Sequence, residues 1–218
     1  MEIRNCWPNL LLKLRNIGLF MLFFAVVFLL QNTPYPHEFH FIAKQLDRID
    51  FGRGFHPESS LVVIVFVFCI YYIFFKSTIK EYFSLKPFAH VKTYIGILLF
   101  LLVVFVIEHA ESNFNYIFQF NFHPFFFSEY AILYLITAII TPIEEELVFR
   151  APLLLLFKKK SRYVWLLFSC IWFTLIHQDS LFALIFSLGL SLLTLKYKNI
   201  WIPILAHVLW NSYALMSI

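Results

Sequence analysis

Four side chains in the second half of the chain, Glu145, His177, His207 and Asn211, are of types that together can hydrolyse an amide. A carboxylate and an imidazole can hold a water and remove its proton. A second imidazole and a side-chain amide can stabilise the oxyanion that follows. No serine or cysteine stands as an evident nucleophile. The chemistry implied is therefore direct attack by water, with no covalent intermediate and no cofactor. Spacing separates these groups from their neighbours. Glu146 and Arg150 are four residues apart, on one helical face, at the spacing of an ion pair. Glu145 is turned about 100° from Glu146 and is free for another task. His207 and Asn211, like Phe173 and His177, are again four apart and share a face.

The elements that must position them are set by composition. Only 14% of the 218 residues are charged and 61% are hydrophobic, with 29 Phe. A water-soluble domain carries about a quarter charged residues, so the solvent expected here is the bilayer. Apolar runs long enough to span fall near 16–31, 60–75, 93–107, 129–157, 163–177, 180–195 and 200–218. The expected fold is all-α, a multi-pass transmembrane helix bundle of about seven spans. The N-terminal run follows Arg4, Lys13 and Arg15 but no small-residue cleavage site, so it reads as an uncleaved first span. The fourth run is long for one span and contains Pro142, which removes a backbone donor, so it reads as one kinked helix or two short ones.

Basic residues gather on alternate loops: Arg4, Lys13 and Arg15, then Lys76, Lys80, Lys86 and Lys92, then Lys158, Lys159, Lys160 and Arg162, then Lys196 and Lys198. The positive-inside rule places the N-terminus in the cytoplasm and the C-terminus outside. Short loops suit a bacterial cytoplasmic membrane. Ionisable groups at membrane depth cost roughly 3 kcal/mol each and usually mark function. With a helical rise of about 1.5 Å per residue, Glu145 lies about 19 Å in from Lys158, His177 about 22 Å in from Arg162, and His207 and Asn211 about 12 and 18 Å in from Asn199. Three helices thus deliver polar groups to one layer.

These residues resemble the CAAX-protease and bacteriocin-processing (CPBP, or Abi) family of intramembrane glutamic proteases, whose motifs are E-E-x-x-x-R, F-x-x-x-H and H-x-x-x-N/D. Here they read Glu145-Glu146-Leu-Val-Phe-Arg150, Phe173-Thr-Leu-Ile-His177 and His207-Val-Leu-Trp-Asn211. The resemblance implies that Glu145 and His177 activate water, that His207 and Asn211 stabilise the oxyanion, and that Glu146, Arg150 and Phe173 support them. It implies no metal. It implies a peptide or protein substrate, lipidated at its C-terminus in some members, and no nucleic-acid partner. The resemblance divides the chain into 1–128, three spans without a recognised motif, and 129–218, the catalytic helices. Ala151 stands where many members have Gly, and Glu144 adds a third acid, so the register of the pair rests on the distance to Arg150.

Plainer roles stand beside these. Glu146–Arg150 reads better as a buried ion pair that fixes packing than as direct chemistry. Glu144 can face a polar interior or cavity without a role. Asn211 can be an interhelical hydrogen bonder. Cys6, Cys69 and Cys170 read as small buried apolar residues. His109 between Glu108 and Glu111 imitates a metal cluster but sits at a span end. A zinc peptidase using Glu145, His177 and His207 is the lesser alternative, since no H-E-x-x-H is present. The other is a non-catalytic protein of the same fold, for bacteriocin self-immunity or as a scaffold.

Overall fold

The computed structural model describes residues 18, 21–31, 42–46, 57–110, 128–155, 159–177 and 180–217. Arg4, Cys6, Lys13, Arg15, Glu111 and Lys158, with much of the 108–128 loop, lie outside them. The described residues are all-helical: α1 (Met21–Gln31), α2 (Ala43–Leu46), α3 (Pro57–Tyr82), α4 (Val91–His109), α5 (Ser128–Tyr134), a π-helical segment (Leu135–Ile140), α6 (Thr141–Phe149), α7 (Ala151–Leu155), α8 (Lys159–Leu175), α9 (Ser180–Tyr197) and α10 (Trp201–Met216). Each of the seven expected apolar runs contains helix. Among the described residues, two helical stretches, Pro57–Ala89 and Val91–His109, are long and apolar enough to cross a membrane. α4 leaves Leu98, Leu99, Leu102, Val103 and Val106 more than half exposed. A contiguous apolar surface of that kind suits lipid rather than water.

One core runs through the bundle, drawing Val63, Val67 and Tyr71 from α3, Ile97 and Val104 from α4, and Leu190, Ile202 and Ala206 from the last two helices. Gly189 lets α9 approach α4, because a Cβ there would meet the Phe100 ring. Gly189→Ala is expected to lower stability by roughly 1–3 kcal/mol, the usual cost of overpacking. A thermal midpoint in detergent equal to the parent's would show that Phe100 yields freely.

The turn into α10 is fastened at several points. Asn199 accepts from the Trp201 N–H at 2.9 Å and donates to the Ser84 carbonyl at 2.7 Å. The Trp201 indole donates to the Phe83 carbonyl at 2.9 Å, and the Ile200 N–H to the Tyr82 carbonyl at 3.0 Å. The end of α3 thereby fixes the start of the helix that carries His207 and Asn211.

One expectation is corrected: Cys170 is buried but Cys69 is exposed on α3. The fourth apolar run, read as one kinked helix or two short ones, stays helical through Pro142 and is interrupted eight residues later at Arg150 (φ −106°).

Candidate active site

The stretch 128–155 carries the first motif, and two irregularities shape it. In the π-helical segment the Thr141 N–H bonds the Ile136 carbonyl, five residues back. In that register the Thr137 carbonyl looks to residue 142 for its donor. Residue 142 is proline and has none. Asn211 of α10 supplies it, its side-chain Nδ2 donating to the Thr137 carbonyl at 3.0 Å. The wider π turn thus absorbs Pro142 without a break, and an interhelical bond closes the account.

The second irregularity is the break at Arg150. The Leu153 N–H bonds the Arg150 carbonyl at 3.0 Å instead of continuing the α ladder to Phe149. Pro152 has no N–H to offer Val148. Hydroxyls from neighbouring helices make up the loss. Ser169 donates to the Phe149 carbonyl at 2.9 Å, and Tyr71 donates to the Leu147 carbonyl at 2.7 Å. Tyr71→Phe and Ser169→Ala are each expected to cost about 1–2 kcal/mol, as lost buried hydrogen bonds do. A calorimetric or fluorescence melt of the purified protein would reveal it, and unchanged midpoints would remove both residues from the account.

The break delivers Arg150 to the interior. Its side chain is fully buried, with Nη2 donating to Ser187 at 2.9 Å and the guanidinium 4.4 Å above the Phe173 ring. Nη1 lies 3.1 Å from Glu146 Oε1, an ionic contact without hydrogen-bond alignment. The same Glu146 oxygen accepts from His207 Nδ1 at 2.9 Å. Glu146 is therefore shared between a permanent cation and an imidazole, as a charge in an apolar interior requires.

Glu145 faces the other way, as its 100° rotation demands. Its Oε1 lies 3.9 Å from His177 Nε2 and its Oε2 lies 3.6 Å from His207 Nε2. The partner of the His177 imidazole fixes its tautomer. His177 Nδ1 is 2.8 Å from the Phe173 carbonyl, an acceptor only, so Nδ1 carries the hydrogen and Nε2 presents a lone pair. The His177 ring stacks on Phe173 with centroids 4.1 Å apart, just past the end of α8. The side chains of His177 and Glu145 keep 37% and 15% of their exposure, while Glu146 has none. One carboxylate of the pair is reachable and the other is sealed.

Of the four residues first singled out, three meet at the Glu145 carboxylate. Asn211 sits one turn further along α10 with its amide engaged by Thr137. Sequence reasoning gave Glu144 no role. The structure buries it, bonds it to the Gln31 amide of α1 at 2.6 Å, and sets it beside Glu145 on a cavity of about 160 Å³. Gln31 was missed, since a polar residue at the end of an apolar run looks like an ordinary span boundary. His109 Nδ1 bonds the Phe105 carbonyl and its Nε2 the Tyr213 hydroxyl, at 2.9 and 3.0 Å. Among the described residues no three His, Cys, Asp or Glu side chains converge as a metal site.

No curated protein and no solved structure matches the chain. Residues 126–213, which hold all three motifs and the Glu145–His177–His207 cluster, are similar to the Rce1-like family, described as type II CAAX prenyl endopeptidase.

Proposed function

We propose that this chain is a multi-pass intramembrane endopeptidase, of about seven spans with a cytoplasmic N-terminus, that hydrolyses a peptide bond without a metal. The observation that carries the reading is the position of Glu145, with one oxygen toward the bare Nε2 of His177 and the other toward Nε2 of His207. A water between Glu145 Oε1 and His177 Nε2 can donate one hydrogen to each acceptor. The 3.9 Å separation is too long for a direct bond and of the right order for such a bridge.

In this reading the water oxygen attacks the scissile carbonyl carbon, and its proton passes to the Glu145–His177 pair. Negative charge develops on the carbonyl oxygen. His207 donates to it from Nε2, its Nδ1–H held by Glu146, and Asn211 offers the amide hydrogen not spent on Thr137. Collapse breaks the C–N bond, the stored proton goes to the departing nitrogen, and the products are a carboxylic acid and an amine. Arg150 and Phe173 act by holding Glu146 and His177. The substrate is a membrane-associated polypeptide, with a prenylated C-terminus as the first class to try, and the setting is a bacterial cytoplasmic membrane.

The test is cleavage by the detergent-purified protein of farnesylated C-terminal peptides and of bacteriocin-precursor peptides, with and without a strong chelator. The expected result is cleavage that ignores the chelator and disappears in His177→Ala. Cleavage abolished by chelator and restored by zinc would move the reading to a metallopeptidase. Full activity in His177→Ala would remove the water-binding pair.

A further inference from the structure

Six lysines gather at one end of the bundle, apart from Glu145 and its cavity. Lys76 and Lys80 lie on the last two turns of α3, Lys86 on the 3-10 turn Lys86–Ala89, and Lys92 in the first turn of α4. Lys196 and Lys198 lie at and just past the end of α9. All six are exposed. Hydrogen bonds between the two turns bring these groups together. Tyr197 donates to the Lys92 carbonyl at 3.0 Å, in space left by Gly96, where a Cβ would meet the Tyr197 hydroxyl. Lys196 Nζ lies 5.3 Å over the ring of that tyrosine. The bonds from residues 199–201 to the carbonyls of Tyr82, Phe83 and Ser84 hold the rest. Glu81 is the one acid in the stretches 76–92 and 196–200. Among the described residues, none of the six ammonium groups has a carboxylate within ion-pair distance.

The apolar surface beside this patch says what it faces. Pro57–Ala89 and Val91–His109, the two stretches long and apolar enough to cross a membrane, adjoin at His90. When both cross, their junction falls at a membrane surface. Exposed Ile73 and Phe74 precede Lys76 on α3, and exposed Ile95, Leu98 and Leu99 follow Lys92 on α4. The lysines thus mark the edge of an exposed apolar band. Long cationic side chains take such places, their stems along hydrocarbon and their heads at the headgroups. Leu85 and Val91, 67% and 72% exposed, adjoin Lys86 and Lys92 directly. A purely ionic ligand would leave them in water, whereas a phospholipid covers both kinds of surface.

We propose that this surface binds anionic phospholipid, phosphates at Lys86, Lys92 and Lys196 and acyl chains along the exposed face of α4, and that the bound lipid braces the turn from which α10 starts. Each lysine close to an anionic bilayer surface adds roughly fivefold to the attraction. A zwitterionic headgroup carries no net charge and forgoes that gain. A phosphate shared by Lys92 and Lys196 ties α4 to α9 at the point where Tyr197 already joins them. A ligand that binds only the joined form stabilises it by mass action. The same turn leads into α10, which carries His207 and Asn211. The lipid therefore acts at the root of that helix, whatever reaction its far end serves.

The experiment places the full chain in nanodiscs of phosphatidylcholine, or of phosphatidylcholine and phosphatidylglycerol in equal parts. Native mass spectrometry reads the lipid retained on the released protein, and a melt in each nanodisc gives the thermal midpoint. The parent is compared with a variant combining Lys86→Gln, Lys92→Gln and Lys196→Gln, and with one carrying Arg at the same three positions. The parent is expected to retain phosphatidylglycerol over phosphatidylcholine by about tenfold or more, in keeping with several lysines acting together, and to melt higher when it is present. The Gln variant is expected to lose both effects and the Arg variant to keep both. High salt is expected to weaken retention, because exposed charges are screened. Millimolar inorganic phosphate is expected to leave the lipid in place, and its displacement by phosphate would assign the lysines to a free anion and overturn the lipid. Equal retention of the two lipids by the parent would also overturn it. So would phosphatidylglycerol retention unchanged in the Gln variant. Retention without a rise in midpoint would overturn the brace. If the Gln variant melts below the parent already in phosphatidylcholine, the parent's salt response decides, and retention indifferent to salt overturns the proposal.

Discussion

Glu145→Gln is expected to lower kcat by three or more orders of magnitude while leaving substrate affinity within a few fold. The substitution preserves volume and one acceptor oxygen, so the amide can still bond a water. It cannot take the water's proton, and general-base catalysis typically supplies 10²–10⁴-fold. The geometry adds to that loss. His207 Nε2 lies 3.6 Å from Glu145 Oε2 while its Nδ1 is bonded to Glu146, so Glu145 also holds the imidazole proposed to face the oxyanion. With Gln at 145 that hold is weakened as well. Two contributions therefore fall together, and they act as a unit. The check is single-turnover cleavage of a farnesylated peptide, alongside binding of the same peptide followed by fluorescence. Parental kcat in Glu145→Gln would remove Glu145 from the chemistry. A rise in KM with kcat unchanged would make it a binding residue instead.

Much of this site was legible because its parts lie at helical spacings. The four-residue steps from Glu146 to Arg150, Phe173 to His177 and His207 to Asn211 place partners on one face whatever the tertiary structure does. The common depth of three helices then said that the faces meet. Helix is found in all seven apolar runs, as their composition led one to expect. What could not be read was where hydrogen-bond accounts fail to close locally. Pro142 looked like the kink, but a π turn absorbed it and passed the deficit to Asn211 on a helix about 70 residues away. The break at Arg150 depends on Tyr71 and Ser169, which carry no signature because any helix may contain such residues. Gln31 and Glu144 meet across 113 positions, and nothing local to either predicts the other. Periodicity reports faces, whereas these features depend on which faces were paired.

Glu146→Ala is expected to destabilise the protein by about 3–5 kcal/mol. Breaking one side of a buried ion pair costs that much because the remaining charge is left in an apolar interior. Arg150 is fully buried, and its described contacts other than Glu146 are neutral, the Ser187 hydroxyl and the Phe173 and Phe149 rings. It cannot shed its proton, so the structure must either unfold locally at the α6–α7 break or admit water. His207 loses the acceptor of its Nδ1–H in the same step and becomes free to turn. Glu146→Gln separates the two consequences. Its amide oxygen can still accept from His207 or Arg150 but carries no charge, so a smaller loss of stability and a retained imidazole orientation are expected. The measurement is the thermal midpoint of each variant in detergent together with protease resistance at the 150–155 segment. Equal midpoints for the parent and Glu146→Ala would mean that Arg150 is compensated by other means. A Glu146→Ala protein rescued by the additional change Arg150→Met, whose side chain fills the space without charge, would establish the stranded cation as the cause.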